Sequence, residues 1–194
     1  MKFVSFWYDK VGSNYYKMAH DRLESQMKSL NYDFTFEHLS FANDSYEHVT
    51  LYKPTFILEK IHKEKKPVCW IDIDCQFIRP LDLTMFSGDI CLGKRDLEEI
   101  APHASVIYVN STKSSIDFLN SWKTRCDVFK NDPTYEGGDH CQLILTYQNY
   151  DLSTINIRQI DSLCSTGIRS YINIGVSPGG LESEIIKSRK FGNN

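Results

Sequence analysis

Two aspartates, spaced two residues apart, interrupt the apolar stretch KPVCWIDIDCQFIRPL. Side chains two apart on a strand share a face, so Asp72 and Asp74 are expected to project the same way, with Cα atoms about 6 to 7 Å apart. Two uncompensated carboxylates in one volume repel each other, and burying either one is costly. A divalent cation resolves both difficulties, and all-oxygen ligands favour Mg²⁺ or Mn²⁺ with open positions for phosphate oxygens. The pair therefore predicts a metal site for a phosphorylated ligand.

A structural role for the same pair stays open from these residues alone. Either carboxylate can cap the adjacent loop or pair with Arg79, and a match to so short a motif is weak evidence by itself. The elements that position the pair are needed to judge it.

Strand-like and helix-like segments alternate along the chain. The opening KFVSFWY has strand character and is expected to end at Tyr8, and apolar residues then recur at helical spacing from Tyr15 to Leu30. The later segments are a strand YDFTFEHL, a helix from KPTF, the Asp-x-Asp strand, strands in DICLG and SVIYVN, helices in SSIDFLNSWKTRCDVF and GGDHCQLILTYQ, and short strands in TINIRQI and SYINIGV. This order predicts an α/β fold with an open mixed, mainly parallel sheet flanked by helices. Since ligands bind beyond the carboxyl ends of such strands, we expect function at 7–14, at 72–79 and after Val176.

Length and composition are those of one ordinary globular domain, 1–194. The chain is 41% apolar with a formal net charge of −3, which argues against a large nucleic-acid interface. No apolar run approaches the roughly 20 residues that span a bilayer. In MKFVSFWYDK, charged residues follow too soon for the apolar core of a signal peptide, so we expect a cytoplasmic protein, in its own or a host cell.

Six scattered cysteines without C-x-x-C spacing favour reduced core thiols over disulfides or zinc.

The segment LYKPTFILEKIHKEKKPVCWIDIDCQFIRPL resembles nucleotide-sugar-dependent glycosyltransferases of the GT-A (Rossmann-like) fold. In that family a helix led by Lys-Pro precedes an apolar strand that ends in Asp-x-Asp. ASVIYVNSTKSSIDFLNSW is similar to the family's next strand and helix, and EGGDHCQLIL to its acidic motif at a helix start. The resemblance covers about residues 1–150 in the right order and weakens beyond them. It implies a donor that is a nucleoside diphosphate sugar, by family analogy a UDP-sugar.

The resemblance also implies roles for the acidic pair. Asp74 corresponds to a direct ligand of Mn²⁺ or Mg²⁺, and Asp72 to a contact with the ribose or, through water, with the metal. The ion would bridge the diphosphate and stabilise the charge that grows as the nucleoside diphosphate leaves.

The loop after the first strand corresponds to the nucleotide site. Phe6, Trp7 and Tyr8 would hold the base and ribose, although Trp7 and Tyr8 fit a plain core role equally well. Lys53 is expected to contact the base or a phosphate.

Asp139 is predicted to begin a helix after Gly137 and Gly138, where a carboxylate is favoured and an N-cap role alone explains it as well. The resemblance places this carboxylate near the acceptor and the anomeric carbon. It would be the base of an inverting reaction, or would orient the donor sugar or stabilise positive charge on it in a retaining one. Glu136 is the reserve candidate.

His103 and His140 are weaker candidates near the sugar, because lone histidines are more often structural. Many GT-A enzymes carry a further histidine ligand near the C-terminus, whereas the last histidine here is His140. Ser177 or backbone N–H groups of INIGVSPGG are expected to face the diphosphate instead, with an ordinary turn as the alternative.

These residues together predict a metal-dependent glycosyltransferase that moves a sugar from a UDP-sugar to a hydroxyl group of a glycan or small acceptor. Two alternatives stay open. A phosphohydrolase with an aspartyl nucleophile also uses Asp-x-Asp, but its motif continues with Gly and Thr or Val where this chain has CQF. A nucleotide-sugar-binding module without turnover is the other.

Overall fold

The computed structural model describes residues 1–9, 12–41, 46–94, 102–132, 138–161, 163–165 and 171–174. The helices are α1 (Tyr15–Ser29), α2 (Tyr46–Thr50), α3 (Lys53–Glu64), α4 (Lys113–Lys130) and α5 (Asp139–Asn149), with 3-10 turns at Leu83–Met85 and Leu152–Thr154. The strands are β1 (Lys2–Trp7), β2 (Phe34–His38), β3 (Val68–Ile71), β4 (Gln76–Phe77), β5 (Ile90–Lys94), β6 (Pro102–Val109), β7 (Ile157–Ile160), β8 (Cys164–Ser165) and β9 (Ile172–Asn173). None of the helices in these ranges is long and apolar enough to cross a membrane.

The main sheet has six strands in the order β2-β1-β3-β6-β5-β7. The pairs β1 with β2, β1 with β3, and β5 with β7 are parallel, while β6 runs antiparallel to both of its neighbours. A smaller sheet has the order β4-β9-β8. The predicted α/β fold with a mixed, mainly parallel sheet flanked by helices is therefore confirmed.

Helices cover both faces of the sheet because successive strand side chains point in opposite directions. On β1, Phe3 belongs to the buried cluster that contains Leu23 and Met27 of α1. The next residue, Val4, belongs to the cluster on the other face with Ile57 of α3 and Trp122 of α4. The alternation of one strand thus fixes two helical layers around it.

The predicted strand through the Asp-x-Asp motif is wrong in its extent. β3 ends at Ile71, and a turn closed by the hydrogen bond from Cys75 N–H to the Asp72 carbonyl, at 2.9 Å, separates it from β4. Ile73 and Cys75 are buried within this turn, so the apolar run continues where the strand does not. Strand β1 likewise ends one residue before the expected Tyr8.

The cysteines agree with the expectation of unpaired thiols. All six are free, and only Cys141 is exposed.

One of the buried thiols, that of Cys164, packs against the main sheet at Gly93, where the register between β5 and β6 shifts. A Cβ atom added to Gly93 would lie 2.2 Å from the Cys164 Sγ atom. Glycine is therefore required here for close approach.

Gly93→Ala is expected to destabilise the protein by about 1–3 kcal/mol, the usual cost of overpacking a core. The double variant Gly93→Ala/Cys164→Ala should recover most of this loss, because the nearest remaining atom, the Cβ of residue 164, lies at an ordinary 3.8 Å. Urea unfolding of the two single variants and the double variant gives the coupling energy. Additive effects of the two substitutions would contradict the packing account.

Candidate functional site

A cleft of about 360 Å³ opens at the carboxyl ends of β1 and β3. Its lining includes most of the side chains predicted from the sequence, although these belong to five separate segments. Those in its lining are Phe6, Trp7, Tyr8, Lys53, Asp72, Asp74, His103 and Asp139. Ser177 and Glu136 lie outside the described residues. This part of the predicted set therefore shares one cleft at the carboxyl edge of the sheet.

An ammonium group lies between two carboxylates in the cleft. Lys53, the first residue of α3, places Nζ 2.8 Å from Asp72 Oδ1 and 2.6 Å from Asp139 Oδ2. The same Nζ donates a hydrogen bond to the Ala104 carbonyl at 3.0 Å. The Lys53 and Asp139 side chains are 6% and 9% exposed, whereas that of Asp72 is 26% exposed. Lys53 is thus a counterion of two carboxylates, and its expected contact to a base or phosphate stays a prediction.

The two carboxylates differ in how readily they take up a proton. Burial, the largest influence, raises the pKa of Asp139, and the Asp72 carboxylate raises it further, so the opposing effect of Lys53 does not bring it back to its usual value. Burial also raises the pKa of Asp72, but Lys53 and hydrogen bonds from Ser105 and Trp70 outweigh it and leave this pKa lowered. Asp72 is therefore held as an anion, and Asp139 is the better proton acceptor of the two.

The Asp-x-Asp turn is fixed by the neighbouring strand and by its own hydrogen bonds. Asp72 N–H donates to the Ser105 carbonyl of β6 at 2.8 Å, and Trp70 Nε1–H donates to Asp72 Oδ1 at the same distance. Arg79, the alternative partner considered for the aspartates, lies instead over the Tyr171 ring, 3.9 Å from its centroid. Asp72 and Asp74 both line the cleft, as expected, but through a turn and not through strand alternation.

The donor set suits a cation that shares its coordination with a bound ligand. Within the described ranges, no group of three or more His, Cys, Asp and Glu side chains is placed to hold a metal ion by itself. Asp72 Oδ1 already accepts from Lys53 and Trp70, while Asp74 contributes a second carboxylate to the cleft wall. One or two carboxylates completed by substrate phosphate oxygens and water is the usual arrangement for Mg²⁺. The residues therefore fit an ion that is held jointly with a diphosphate.

The three aromatic residues after β1 have different surroundings. Phe6 is 8% exposed, and its ring centroid lies 5.2 Å from those of both Phe56 and Trp70, which is a core environment. The Trp7 ring contacts the imidazoles of His20 and His38, with centroids 5.1 and 4.2 Å away. Phe6 is therefore a core residue, a role that the sequence indicated only for Trp7 and Tyr8, while Trp7 packs against two histidines and lines the cleft.

Two histidines meet beside the cleft, with ring centroids 4.8 Å apart. Nδ1 of His103 lies 3.2 Å from the Ser105 N–H, and Nδ1 of His140 lies 3.3 Å from the Ala104 N–H. Each Nδ1 accepts a backbone hydrogen bond, so the neutral rings carry their proton on Nε2. His103 is the one that lines the cleft.

Sequence reasoning missed Thr50, which contributes to the cleft from the short helix α2. Its hydroxyl accepts from the Asp139 N–H at 3.4 Å, and a Cβ atom on Gly138 would lie 2.8 Å from it. Gly138 therefore allows α5 to begin against α2, with Asp139 at its first position. A five-residue helix leaves too short a periodic pattern to be recognised in a sequence.

No family model matches the chain, and no curated protein matches it by sequence. Its structure is similar to that of a glycosyltransferase involved in the glycosylation of the major capsid of PBCV-1, with a TM-score of 0.65 at 11% identity, over 96% of this chain and 98% of that one. The chain therefore shares the α/β fold of this glycosyltransferase. It is also similar to the glycosyltransferase GlyE of Streptococcus pneumoniae TIGR4, with a TM-score of 0.52 at 12% identity, over 82% of this chain and 44% of GlyE.

A fold shared at 11% to 12% identity describes the architecture only, and the chemistry has to be inferred from the residues of the cleft. The charged groups that line the described part of the cleft are one ammonium, Lys53, and three carboxylates, Asp72, Asp74 and Asp139. Carboxylates thus outnumber ammonium groups in the described part of the cleft.

Proposed function

We propose that the protein is a metal-dependent glycosyltransferase that moves a sugar from a UDP-sugar to a hydroxyl group of a glycan or of another small acceptor. One observation carries the proposal: both Asp-x-Asp carboxylates and Asp139 line a single cleft at the carboxyl edge of a sheet with a glycosyltransferase fold. The fold narrows the class of reaction, and the residues in the cleft supply groups for binding and for proton transfer.

Asp74 is the proposed protein ligand of Mn²⁺ or Mg²⁺, and Asp72 contacts the ion through water or binds the ribose. The excess of carboxylates supports this assignment, because a diphosphate brought to the same wall adds negative charge to a negative cleft. When bound, the ion supplies Lewis-acid stabilisation of the charge that develops on the UDP leaving group.

The nucleotide is proposed to bind where Phe6, Trp7 and Tyr8 end the first strand. Phe6 forms the packed floor, and Trp7 and Tyr8 offer apolar ring surface to the base and ribose at the cleft wall. Ser177 remains the proposed contact to the diphosphate from the C-terminal segment.

Asp139 is the proposed catalytic residue. In an inverting reaction it takes the proton of the acceptor hydroxyl while that oxygen bonds to the anomeric carbon, the bond from this carbon to the phosphate oxygen breaks, and UDP leaves with the bonding electrons. In a retaining reaction the same carboxylate orients the donor sugar or stabilises positive charge on it. The ion pair with Lys53 fixes the position of Asp139 in both cases. The anomeric configuration of the product distinguishes the two reactions.

A thermal-shift screen of nucleoside diphosphates and their sugars, with and without Mn²⁺, tests the proposal. A ligand that binds only the folded state stabilises it by about 2.7 kcal/mol at a concentration of 100 times its Kd, which raises Tm. We expect UDP and a UDP-sugar to raise Tm with Mn²⁺ present, and to do so far less in EDTA. Uridine, which lacks the diphosphate, is the matched control and should show no dependence on Mn²⁺.

A shift of equal size with and without divalent ions would count against the metal-dependent mechanism. Binding of UDP-sugars with Mn²⁺ but without donor hydrolysis or transfer to any acceptor would favour the alternative, a binding module without turnover.

A further inference from the structure

Helix α1 holds the segment that follows the Asp-x-Asp motif through side chains that bond to its backbone. Arg22 Nη2 donates to the carbonyl of Asp74 at 3.1 Å and to that of Cys75 at 3.4 Å. One helical turn later, Gln26 makes a reciprocal pair with Phe77, its Nε2 donating to the carbonyl and its Oε1 accepting from the N–H, both at 3.0 Å. Side chains four residues apart lie on one face of a helix, so Arg22 and Gln26 form a row that contacts this segment.

The two members of this row hold different parts of the turn. Gln26 bonds to Phe77, which belongs to β4 and whose own side chain lies in the core. Arg22 bonds to the main chain of Asp74 itself and reaches the carbonyl that follows it. Burial, the largest influence, lowers the pKa of Arg22, and the negative charge of Asp74 opposes this effect, so the Asp74 carboxylate lies within the field of the guanidinium.

We propose that Arg22 is a positioning residue for Asp74: its two hydrogen bonds to the turn fix the main chain from which the Asp74 carboxylate extends into the cleft. This inference rests on the proposed function, in which Asp74 ligates the metal ion. An arginine suits the role because its terminal Nη2 carries two N–H groups, one for each carbonyl oxygen, and its charge is permanent. Arg22 does not line the cleft, so it acts through Asp74 and not on the substrate.

The test measures metal affinity apart from catalysis. Titrating UDP into the protein calorimetrically at a series of free Mn²⁺ concentrations gives the affinity for Mn²⁺ in the complex with UDP. Groups that orient a metal ligand typically contribute about 10- to 100-fold in metal affinity, so Arg22→Met should weaken Mn²⁺ binding by about this factor. The affinity for UDP in EDTA should stay at the wild-type value.

Two further variants separate positioning from general support of the turn. Gln26→Met also removes two hydrogen bonds between α1 and the same segment, but at Phe77, so it should lower the free energy of unfolding and change Mn²⁺ affinity by less than about threefold. Arg22→Lys keeps the charge but replaces the planar guanidinium with a single ammonium on a different side chain, and its Mn²⁺ affinity should fall between those of the wild type and Arg22→Met.

The outcomes distinguish a failure of the proposed function from a failure of the positioning role of Arg22. If wild-type protein binds UDP without any dependence on Mn²⁺, the proposed function and the role of Arg22 both fail. If the wild type shows the dependence and Arg22→Met equals it, or loses no more than Gln26→Met, only the positioning role fails. Should Arg22→Met not fold, Arg22→Lys carries the test, and wild-type Mn²⁺ affinity in that variant overturns the inference.

Discussion

Replacing Asp74 with alanine is expected to abolish Mn²⁺-dependent binding of the donor. Asp74 is the proposed direct ligand of the ion, whereas Lys53 pairs with the other two carboxylates of the cleft, Asp72 and Asp139. Removing it leaves the proposed ion with Asp72 alone, whose Oδ1 already accepts from two donors. We expect the affinity for UDP in saturating Mn²⁺ to fall to the value measured in EDTA, and donor hydrolysis to become undetectable.

The matched control for this variant is Asp82→Ala. Asp82 is an exposed carboxylate shortly after the same motif, where it caps a 3-10 turn by accepting the Thr84 N–H at 3.0 Å, and it does not line the cleft. Its removal should lower stability slightly, through loss of the cap, and leave the Mn²⁺ dependence of UDP binding unchanged. Wild-type Mn²⁺ dependence in Asp74→Ala would show that the acidic pair does not hold the ion.

The fold was predictable because its signals are local. The helical spacing of α1, the alternating residues of β2 and the Lys-Pro start of α3 each lie within one segment, and the order of segments restricts how they assemble. The same reasoning placed Trp7, Asp72 and Asp74 at one edge, because the carboxyl ends of parallel strands converge. Segments without their own periodic signal, such as Tyr46–Thr50, could not be found this way.

The electrostatics of the cleft were only partly predictable. The argument that paired carboxylates need a cation anticipates a positive partner, but the nearest one in the described residues is Lys53, from a different element. The pairing of Lys53 with both Asp72 and Asp139 is a tertiary contact between α3, the Asp-x-Asp turn and α5, and nothing in any one of these segments encodes it. The charged residues can thus be identified from the sequence, but which of them form ion pairs depends on tertiary packing.

The extent of the Asp-x-Asp strand failed for a related reason. The run of apolar residues predicts one strand, yet Ile73 and Cys75 are buried in a turn, because hydrophobicity indicates burial and not extended backbone. Both carboxylates still line the cleft from this turn.

Asp139→Asn is expected to leave binding of UDP and Mn²⁺ unchanged and to lower the rate of sugar transfer by about 10²- to 10⁴-fold, the usual contribution of a general base. Asparagine keeps the size of the side chain but accepts no proton. Lys53 keeps its partner Asp72 in this variant, so the ammonium is not left unpaired. Initial rates at saturating donor and acceptor, with binding measured separately by calorimetry, give both quantities.

The pH dependence of transfer distinguishes the two roles of Asp139. As a base it must be ionised, so the rate should rise with pH through its pKa, and burial places this midpoint above the ordinary value of 3.8. The rising limb should disappear in Asp139→Asn, and the product should have the inverted anomeric configuration. If Asp139→Asn keeps the rising limb of the pH–rate profile and the wild-type product has the retained configuration, the carboxylate orients the donor sugar instead. A group that only accepts hydrogen bonds from that sugar need not exchange a proton with the acceptor.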